Sequence, residues 1–347
     1  MINVWHDCDP GHDDAIALLY CLQDPKINLV GISTVHGNQL AIKTYTNAIR
    51  ILYISGNIEK IKKIPVLSGA NKPLQRESQI CPEIHGDTGL GGVDWSEVDK
   101  KIESLGINIK KTDKNLDIIN DINLVSDGIH NAYINSENKK LTLLVTGCHT
   151  NIAHFVKKFP DDVKSGNINI VAMGGCINTF GNTGPFQEFN IQIDPEAFDY
   201  VLKSFQSKKN LVTIIPLEVT HTVLATKEVL EKLENNNFEK VIKKLLLYFK
   251  DTYKNVFHFD SPPVHDPVAA HYITHPEDFQ VEHYKAVVET KGKYTSGSIC
   301  IHRYDNVTSW CDEKEFSDLN VCLKVNINKF WDTIIGYLHE IAKKSPI

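Results

Sequence analysis

The sequence predicts an α/β fold, built as a single large domain with a mostly parallel, doubly wound (Rossmann-like) sheet that is flanked by helices. Strand-like runs alternate with helix-like runs along most of the chain, a pattern typical of βαβ units and a parallel sheet. The 347 residues, 42% of them hydrophobic, suffice for one large core. We therefore assign residues 1–347 to one domain, with its functional site at the C-terminal ends of the strands.

The first part of the chain supplies two βα units. The apolar residues of 41–54 recur at helical spacing, and the polar loop after residue 67 is long enough to be functional. Residues 99–140 are rich in Lys, Asn and Asp and are predicted as a surface excursion with a helix at about 116–134. In order, the elements before it are a strand at 2–5, a helix at 15–22, a strand at 27–35, a helix at 41–54 and a strand at 65–67.

The alternation resumes at residue 141 and continues to the C-terminus. The predicted strands are 141–145, 168–173, 211–217, 284–289, 298–302 and 321–325. The predicted helices are 150–159, 195–205, one or two helices within 229–257, 264–272 and 328–341.

Charge and cysteine usage restrict the partners. The net charge of −6 comes without a long basic block, so neither a nucleic-acid polymer nor a membrane surface is expected as a partner. The eight cysteines are scattered without a CxxC pair, which is typical of reduced thiols in a cytoplasmic protein. The N-terminus enters the first strand without a leader pattern, which also favours a cytoplasmic location.

Four carboxylates lie within eight positions near the N-terminus: Asp7, Asp9, Asp13 and Asp14. The intervening Pro10-Gly11 predicts a tight turn from strand to helix, so the four side chains converge. Such like charges repel one another unless a cation joins them, and Ca²⁺ or Mg²⁺ prefers these oxygen ligands. Helix capping is the alternative, but it explains neither Asp7 nor Asp9.

Three other polar stretches also follow predicted strands: His36 to Asn38, Thr146-Gly147 and Gly174-Gly175. Open parallel sheets bind ligands at the carboxyl ends of their strands, so these turns are expected to meet the acidic turn at one crevice. No GxGxxG or GxxxxGK[ST] motif is present, and an acidic site suits a metal and a neutral polyhydroxyl ligand better than a phosphate.

These residues resemble the inosine-uridine-preferring nucleoside N-ribohydrolases. Asp7 to Asp14 reads DCDPGHDD and matches the family's DxDPGxDD. The further matching stretches, in family order, are Val35 to Asn38, Ile84 to Leu90, Thr146 to Asn151, Gly181-Asn182, Glu188 to Asn190, Asp194 to Ala197 and His265 to Pro267. The chain departs from the family pattern at His36, at Cys148-His149 and over 99–140, which bears on substrate range more than on reaction type.

The resemblance implies hydrolysis of the N-glycosidic bond of a small-molecule ribonucleoside, with uridine or inosine favoured, by a homodimer or homotetramer. It implies Ca²⁺ held by Asp9, Asp14, Asp266 and the carbonyl oxygen of Thr146, with Asp7 close by, and Asp9 as general base on a metal-bound water. The residues it assigns to ribose are Asp13, Asn38, Asn182, Glu188 and Asn190, with Met173 and Phe189 packed against the sugar.

Judged alone, several of these residues have ordinary explanations. Asn38 could be an ordinary turn residue, and Glu188 could be an ordinary acid on the surface. Met173 and Phe189 are of types that usually lie in the core. For protonation of the leaving base, His265 beside Asp266 is favoured over His85, which lies on the glycine-rich loop and is placed to bind the base.

Two other classes of protein are weighed against the hydrolase. Asp7 and Asp9 also fit the DxD of a haloacid-dehalogenase-type phosphotransferase, although Gly11 stands where that class has Thr or Val. An EF-hand loop counted from Asp7 fails, because His12 and Leu18 replace the required Gly and Glu.

Overall fold

The described residues form one sheet of nine strands. A computed structural model describes residues 1–57, 63–107, 109, 122–207, 211–303 and 315–347. The strands are β1 Ile2–Cys8, β2 Ile27–Thr34, β3 Val66–Ser68, β4 Leu141–Val145, β5 Ile168–Met173, β6 Val212–Ile215, β7 Phe279–Val288, β8 Ile299–His302 and β9 Ser317–Val325. Their order is β3-β2-β1-β4-β5-β6-β9-β7-β8. All neighbours from β3 to β9 are parallel, and β7 runs antiparallel to both β9 and β8.

The direction of winding reverses between β1 and β4. From β1 the chain proceeds through β2 to β3 on one side, and from β4 it proceeds through β5 to β6 on the other. Open α/β sheets bind ligands at such a switch point, outside the carboxyl ends of the strands. Asp9 and Thr146 follow β1 and β4 directly, so both lie at this point.

Helices cover both faces of the sheet. The longer ones are His12–Gln23, Ala41–Ile54, Ser96–Ser104, Ile122–Ile134, Thr150–Lys158, Pro195–Ser204, Asn237–Phe257, Asp266–Thr274 and Ile327–Ala342. Shorter helices are Pro82–His85, Pro160–Lys164, Phe189–Gln192, Leu217–Thr220, Lys227–Glu231 and the 3₁₀ turn Pro276–Asp278. No helix in the described ranges has the length and apolar character that crossing a bilayer requires.

Strand β1 contributes to the core on each face of the sheet. Val4 and Cys8 pack with residues of helices His12–Gln23 and Ile327–Ala342, whereas Trp5 packs with residues of the helices on the opposite face. Because successive strand residues point to opposite faces, a strand covered on both faces must be apolar along most of its length. This double packing fixes the end of β1, from which the acidic turn begins.

The predicted fold class is confirmed, with differences in the bounds of several elements. Strand β7 begins at Phe279 rather than 284, and β9 begins at Ser317 rather than 321. The early part of β7 alternates half-buried and exposed residues, so it lacks the apolar run on which the prediction depended. The predicted helical region 229–257 consists of two helices, Lys227–Glu231 and Asn237–Phe257.

Part of the predicted excursion at 99–140 packs into the fold. Helix Ile122–Ile134 lies against β2, β3 and the helix that follows β4, and its Val125 and Ile129 side chains are fully buried. The predicted start of this helix at about 116 lies outside the described residues. The C-terminal part of the segment therefore belongs to one of the two helical layers.

We expect the substitution Ile129→Ala to lower the free energy of unfolding by about 2–5 kcal/mol, because it opens a cavity in the core that contains Trp5. The matched control is Leu124→Ala on the same helix, where the side chain is 51% exposed and the expected change is within about 0.5 kcal/mol. Equilibrium unfolding in urea measures both values. A loss below about 0.5 kcal/mol for Ile129→Ala would contradict the assignment of this helix to the core.

Candidate active site

The turn between β1 and helix His12–Gln23 is closely packed. Gly11 is the N-cap residue of the helix, and its N–H donates a hydrogen bond to Oδ2 of Asp14 over 3.0 Å. A Cβ atom at position 11 would lie 2.4 Å from Nδ1 of His85 and 2.8 Å from Nδ2 of Asn38. Only glycine fits there, and its absence of a side chain lets the turn approach the surrounding loops.

Four buried carboxylates meet at this turn. Asp9 follows β1, Asp13 and Asp14 come from the first turn of the next helix, and Asp266 begins a helix far along the chain. Carboxylate oxygens of Asp13, Asp14 and Asp266 all lie within 4.8 Å of one another. None of the four side chains is more than 4% exposed. We call these four residues the carboxylate cluster.

Burial and mutual repulsion raise the pKa values of the carboxylate cluster. Burial, followed by repulsion from Asp14, raises the pKa of Asp13 to about 7 and that of Asp9 well above its usual value. Burial, followed by repulsion from Asp13, also raises the pKa of Asp266 well above its usual value. Since one pKa unit corresponds to about 1.4 kcal/mol, the fully ionised cluster is strongly unfavourable without a cation.

The cluster fits a divalent cation that prefers oxygen ligands. Oδ1 of Asp9 is buried and has no hydrogen-bond partner within the described ranges. In the same part of the chain, no lysine or arginine forms an ion pair with any of the four carboxylates. A bound cation would remove the repulsion and satisfy the free oxygen. The cluster is therefore an Asp-rich candidate metal site.

Asp7, which the sequence places close to the metal ligands, is held by residues of neighbouring elements, and its Oδ2 is buried without a partner in the described ranges. Its Oδ1 accepts hydrogen bonds from the hydroxyl of Ser33 and from Nδ2 of Asn151, the latter over 2.7 Å. Asp7 is paired within β1 between β2 and β4, whereas β1 ends at Cys8 and Asp9 already belongs to the turn. The two carboxylates are close in sequence but are held by different neighbours, and Asp7 joins β1 to adjacent elements.

Thr146 connects the end of β4 to the cluster. Its hydroxyl donates to Oδ1 of Asp14 over 2.8 Å, so it must accept from Nε2 of His6 at 2.9 Å. The carbonyl oxygen of Thr146 accepts a hydrogen bond from Nδ2 of Asn190 over 2.9 Å. The side chain thus orients Asp14, and Asn190 holds the carbonyl group that the sequence assigns to the metal.

A cavity of about 610 Å³ adjoins the cluster, a volume typical of sites for small molecules. Thr146, His265 and Asp266 line it, whereas Asp9 and Asp14 are not part of its lining. All the residues predicted to bind substrate also line it: Asp13, Asn38, His85, Met173, Asn182, Glu188, Phe189 and Asn190. The structure therefore brings together the substrate-binding residues predicted from separate parts of the sequence.

Intrachain hydrogen bonds hold several of these polar side chains. Nδ2 of Asn38 donates to Oδ2 of Asp14 over 3.1 Å, and Oδ1 of Asn182 accepts from the N–H of Phe189 over 3.0 Å. Glu188 caps the helix Phe189–Gln192 with its carboxylate, and burial raises its pKa to about 7. The lining is therefore oriented by the chain itself rather than by a ligand.

His265 has a hydrogen-bond partner at each ring nitrogen. Nδ1 lies 2.7 Å from Oγ1 of Thr220, and Nε2 lies 2.7 Å from the hydroxyl of Tyr253. Its backbone N–H donates to Oδ2 of Asp13 over 3.3 Å. Burial, followed by repulsion from His221, lowers the pKa of His265 well below its usual value.

Three residues that hold the site were not identified from the sequence: His6, Thr220 and Tyr253. Tyr253 lies on helix Asn237–Phe257 and lines the cavity together with Phe249 and Phe257. Aromatic residues at this spacing of four are visible in the sequence, but such a stripe by default indicates core packing. Only the tertiary structure shows that it faces the cavity.

Residues 4–332 match the family described as inosine-uridine preferring nucleoside hydrolase. The chain belongs to this family. Nucleoside hydrolases are N-ribohydrolases, enzymes that hydrolyse the N-glycosidic bond of ribonucleosides to ribose and a free base. This membership sets aside the phosphotransferase that Asp7 and Asp9 also suggested.

Relatives of this nucleoside hydrolase match it over nearly its whole length. It is 34% identical over 345 residues to the probable ribonucleoside hydrolase of Dictyostelium discoideum, covering 97% of this chain and 94% of the relative. It is 34% identical over 367 residues to the uridine nucleosidase of Saccharomyces cerevisiae, covering 100% of this chain and 98% of the relative. The solved structure of the purine-preferring ribonucleoside hydrolase from Gardnerella vaginalis aligns with a TM-score of 0.78 at 25% identity, covering 98% of this chain and 99% of that one.

We expect a divalent cation to raise the melting temperature of this nucleoside hydrolase more at pH 8 than at pH 6. Without a cation, the raised pKa values of Asp9, Asp13 and Asp266 keep the folded cluster partly protonated near neutral pH. A cation must displace these protons, and their release becomes more favourable as the pH rises.

The measurement is thermal unfolding at each pH with a chelator and with one fixed Ca²⁺ concentration. The difference between the two melting temperatures cancels contributions from the buried histidines, which are the same in both samples. A difference that does not change between pH 6 and pH 8 would contradict the carboxylate cluster as the cation site.

Proposed function

We propose that this nucleoside hydrolase is Ca²⁺-dependent, that it acts on uridine and inosine, and that Asp9 is its general base. The observation that carries the proposal is the carboxylate cluster at the switch point of the sheet, beside a cavity of about 610 Å³. The relative named uridine nucleosidase supports uridine as a substrate. We also infer a homodimer or homotetramer from the family resemblance, and a cytoplasmic location from the eight scattered cysteines.

The Ca²⁺ ligands would be Asp9, Asp14, Asp266 and the carbonyl oxygen of Thr146. These are hard oxygen donors, the kind of ligand that Ca²⁺ prefers, and they come from three separate parts of the chain. A Ca²⁺ ion held by these residues would lower the pKa of a coordinated water and could accept ribose hydroxyl oxygens as further ligands. Asp13, which lies within the same 4.8 Å group, remains close enough to the cation to bind a hydroxyl of the sugar beside it.

Asp9 is suited to accept a proton from the attacking water. Its Oδ2 accepts a hydrogen bond from the backbone N–H of Asn38 over 2.7 Å, whereas Oδ1 has no partner within the described residues. Oδ2 is therefore held in place. Oδ1 has two lone pairs, so it would serve both as a ligand of the cation and as the acceptor of the proton of the neighbouring water.

The remaining polar residues of the lining would bind the ribose hydroxyls. Asn38 and Asn190 approach from the cluster side, and Asn182 and Glu188 lie on the turn after β5. Groups that the chain already orients lose little entropy on binding and can favour the flattened, oxocarbenium-like sugar of the transition state. The side chains of Met173 and Phe189 supply the apolar contact.

His265 would assist departure of the base, with Tyr253 as its partner. Both side chains line the cavity, and the hydroxyl of Tyr253 is hydrogen-bonded to Nε2 of His265. The ring would first take up a proton, against its lowered pKa, and would then return to the neutral form by passing that proton to the base directly or through this hydroxyl. The base would then leave without a negative charge. His85 also lines the cavity, in contact with Phe249, and we assign it to base binding.

We expect the purified protein with Ca²⁺ to release ribose and free base from uridine and inosine without phosphate. Asp9→Asn keeps an oxygen ligand but removes the proton acceptor, so kcat should fall by about 10²–10⁴-fold while a ribose-like inhibitor still binds. 2′-Deoxyuridine should be a very poor substrate, because it lacks one hydroxyl. Formation of ribose 1-phosphate, or a loss of kcat below about tenfold in Asp9→Asn, would refute the assignment.

We expect His265→Ala to lower kcat on inosine by about 10²-fold or more but to change hydrolysis of p-nitrophenyl riboside little, because p-nitrophenolate leaves without a proton. Tyr253→Phe keeps the ring and removes the hydroxyl, so a loss confined to inosine would place the hydroxyl on the proton path. Steady-state kinetics on both substrates gives the comparison. Equal losses on both would mean that His265 supports the metal site through Asp266, and no loss on either would move the role to His85.

A further inference from the structure

Two histidines lie edge to edge beside the cavity, and one of them lines it. His12, on the first helix, and His85, on the loop before Gly91, have ring centroids 5.4 Å apart and planes at 25°. Nδ1 of His12 lies 3.2 Å from Nδ1 of His85, and Nε2 of His12 lies 3.1 Å from the carbonyl oxygen of Gly91. His12 is fully buried, whereas His85 lines the cavity.

The partners of His12 determine where the protons lie. A carbonyl oxygen can only accept, so Nε2 of His12 carries its proton and donates to Gly91. A histidine ring has an ordinary pKa of about 6.5 and carries one proton at a pH of about 8, where the tests below are made. Because Nε2 of His12 holds that proton for Gly91, Nδ1 of His12 has none and accepts from Nδ1 of His85. The one proton of the His85 ring is therefore on Nδ1, and its Nε2 is a hydrogen-bond acceptor.

The free acceptor, Nε2 of His85, is part of a ring that lies among the aromatic residues of the cavity lining. Nε2 of His85 has no hydrogen-bond partner within the described part of the chain, and the ring lies against Phe249 with centroids 5.4 Å apart. Phe249 in turn contacts Tyr253 at 4.6 Å between centroids. A wall of aromatic rings suits a planar base better than the sugar, whose hydroxyls are matched by the carboxylates and amides of the cluster side.

We propose that His12 fixes His85 as a hydrogen-bond acceptor and thereby selects nucleosides whose base presents a ring N–H, as uridine and inosine do. The selection is against cytidine and adenosine, whose corresponding ring nitrogens are themselves acceptors. This inference rests on the proposed function of the site. His12 is a positioning residue, because it acts through His85 and contacts no substrate.

The packing around His12 keeps this orientation. The rings of Tyr248 and Phe249 stack on His12 at 5.2 and 5.3 Å between centroids, with planes within 10° of parallel. A ring turned by 180° would lose both hydrogen bonds and leave the buried carbonyl of Gly91 without its donor, which disfavours that orientation.

The first test is the protonation of the two rings, measured by ¹⁵N NMR on the cation-loaded protein without substrate. The signals of His85 are assigned by their loss in His85→Gln. We expect an unprotonated Nε2 and a protonated Nδ1 in His85, and the reverse in His12. A protonated Nε2 in His85 would overturn the proposal, and this result does not depend on any turnover.

The second test compares kcat/KM for uridine and cytidine in the wild type, in His12→Leu and in Tyr248→Phe. Leucine cannot accept a hydrogen bond from His85, so the His85 ring is free to adopt either tautomer. Its Nε2 can then carry a proton and donate to the ring nitrogen of cytidine, so the preference for uridine over cytidine should fall by about fivefold or more. Tyr248→Phe alters the ring stacked on His12 but removes none of its hydrogen bonds, so the ratio should stay unchanged.

Hydrolysis of p-nitrophenyl riboside, which presents no ring N–H, should decrease less in His12→Leu than hydrolysis of uridine. Equal losses on uridine, cytidine and the p-nitrophenyl substrate would mean that His12 acts only on folding of the site, and a wild-type preference for cytidine would also refute the proposal. If no ribonucleoside is hydrolysed at all, the proposed function fails, whereas the NMR result still decides the tautomer.

Discussion

Repulsion among four buried carboxylates is the constraint on which the rest of this site depends. Asp9, Asp13, Asp14 and Asp266 come from three separate elements and meet without a basic residue that forms an ion pair with them in the described ranges. A fold gains nothing in stability from such a cluster, so its position beside the cavity is best explained by a cation that the cluster binds. Every neighbouring hydrogen bond can then be understood as orienting a ligand or a proton acceptor.

The sheet provides the rigidity that this arrangement needs. Strand β1 is packed on both faces and is paired with β2 and β4, so the turn after it has little freedom. Asp7 and Thr146 strengthen the same region, one by joining β1 to its neighbours and the other by orienting Asp14. An aromatic part of the cavity lining is supplied by helix Asn237–Phe257 and lies beside His85. One side of the cavity thus suits a charged and hydroxylated ligand group, and the other suits a flat base.

The sequence predicts those parts of the structure that are encoded locally. The acidic turn follows from Pro10-Gly11 between a strand and a helix, and parallel-sheet geometry places Asn38 and Thr146 beside it because each follows a strand. Contacts between distant elements are not encoded in this way. Tyr253 lies on a different helix, twelve positions before its partner His265, and the hydrogen bond from His12 to Gly91 joins residues 79 positions apart. Neither contact corresponds to a motif in the sequence. The separate environment of Asp7 also depends on tertiary detail, because only the end of β1 at Cys8 distinguishes it from Asp9.

The most direct test of this account is a crystal structure of the protein grown with Ca²⁺ and ribose, with the cation located by its anomalous scattering. We expect one anomalous peak per chain, coordinated by Asp9, Asp14, Asp266 and the carbonyl oxygen of Thr146, with two hydroxyl oxygens of the sugar completing the coordination. A cluster without a peak at Ca²⁺ concentrations that saturate activity would contradict the account. A peak held by other residues, with ribose bound away from the cluster, would contradict it equally.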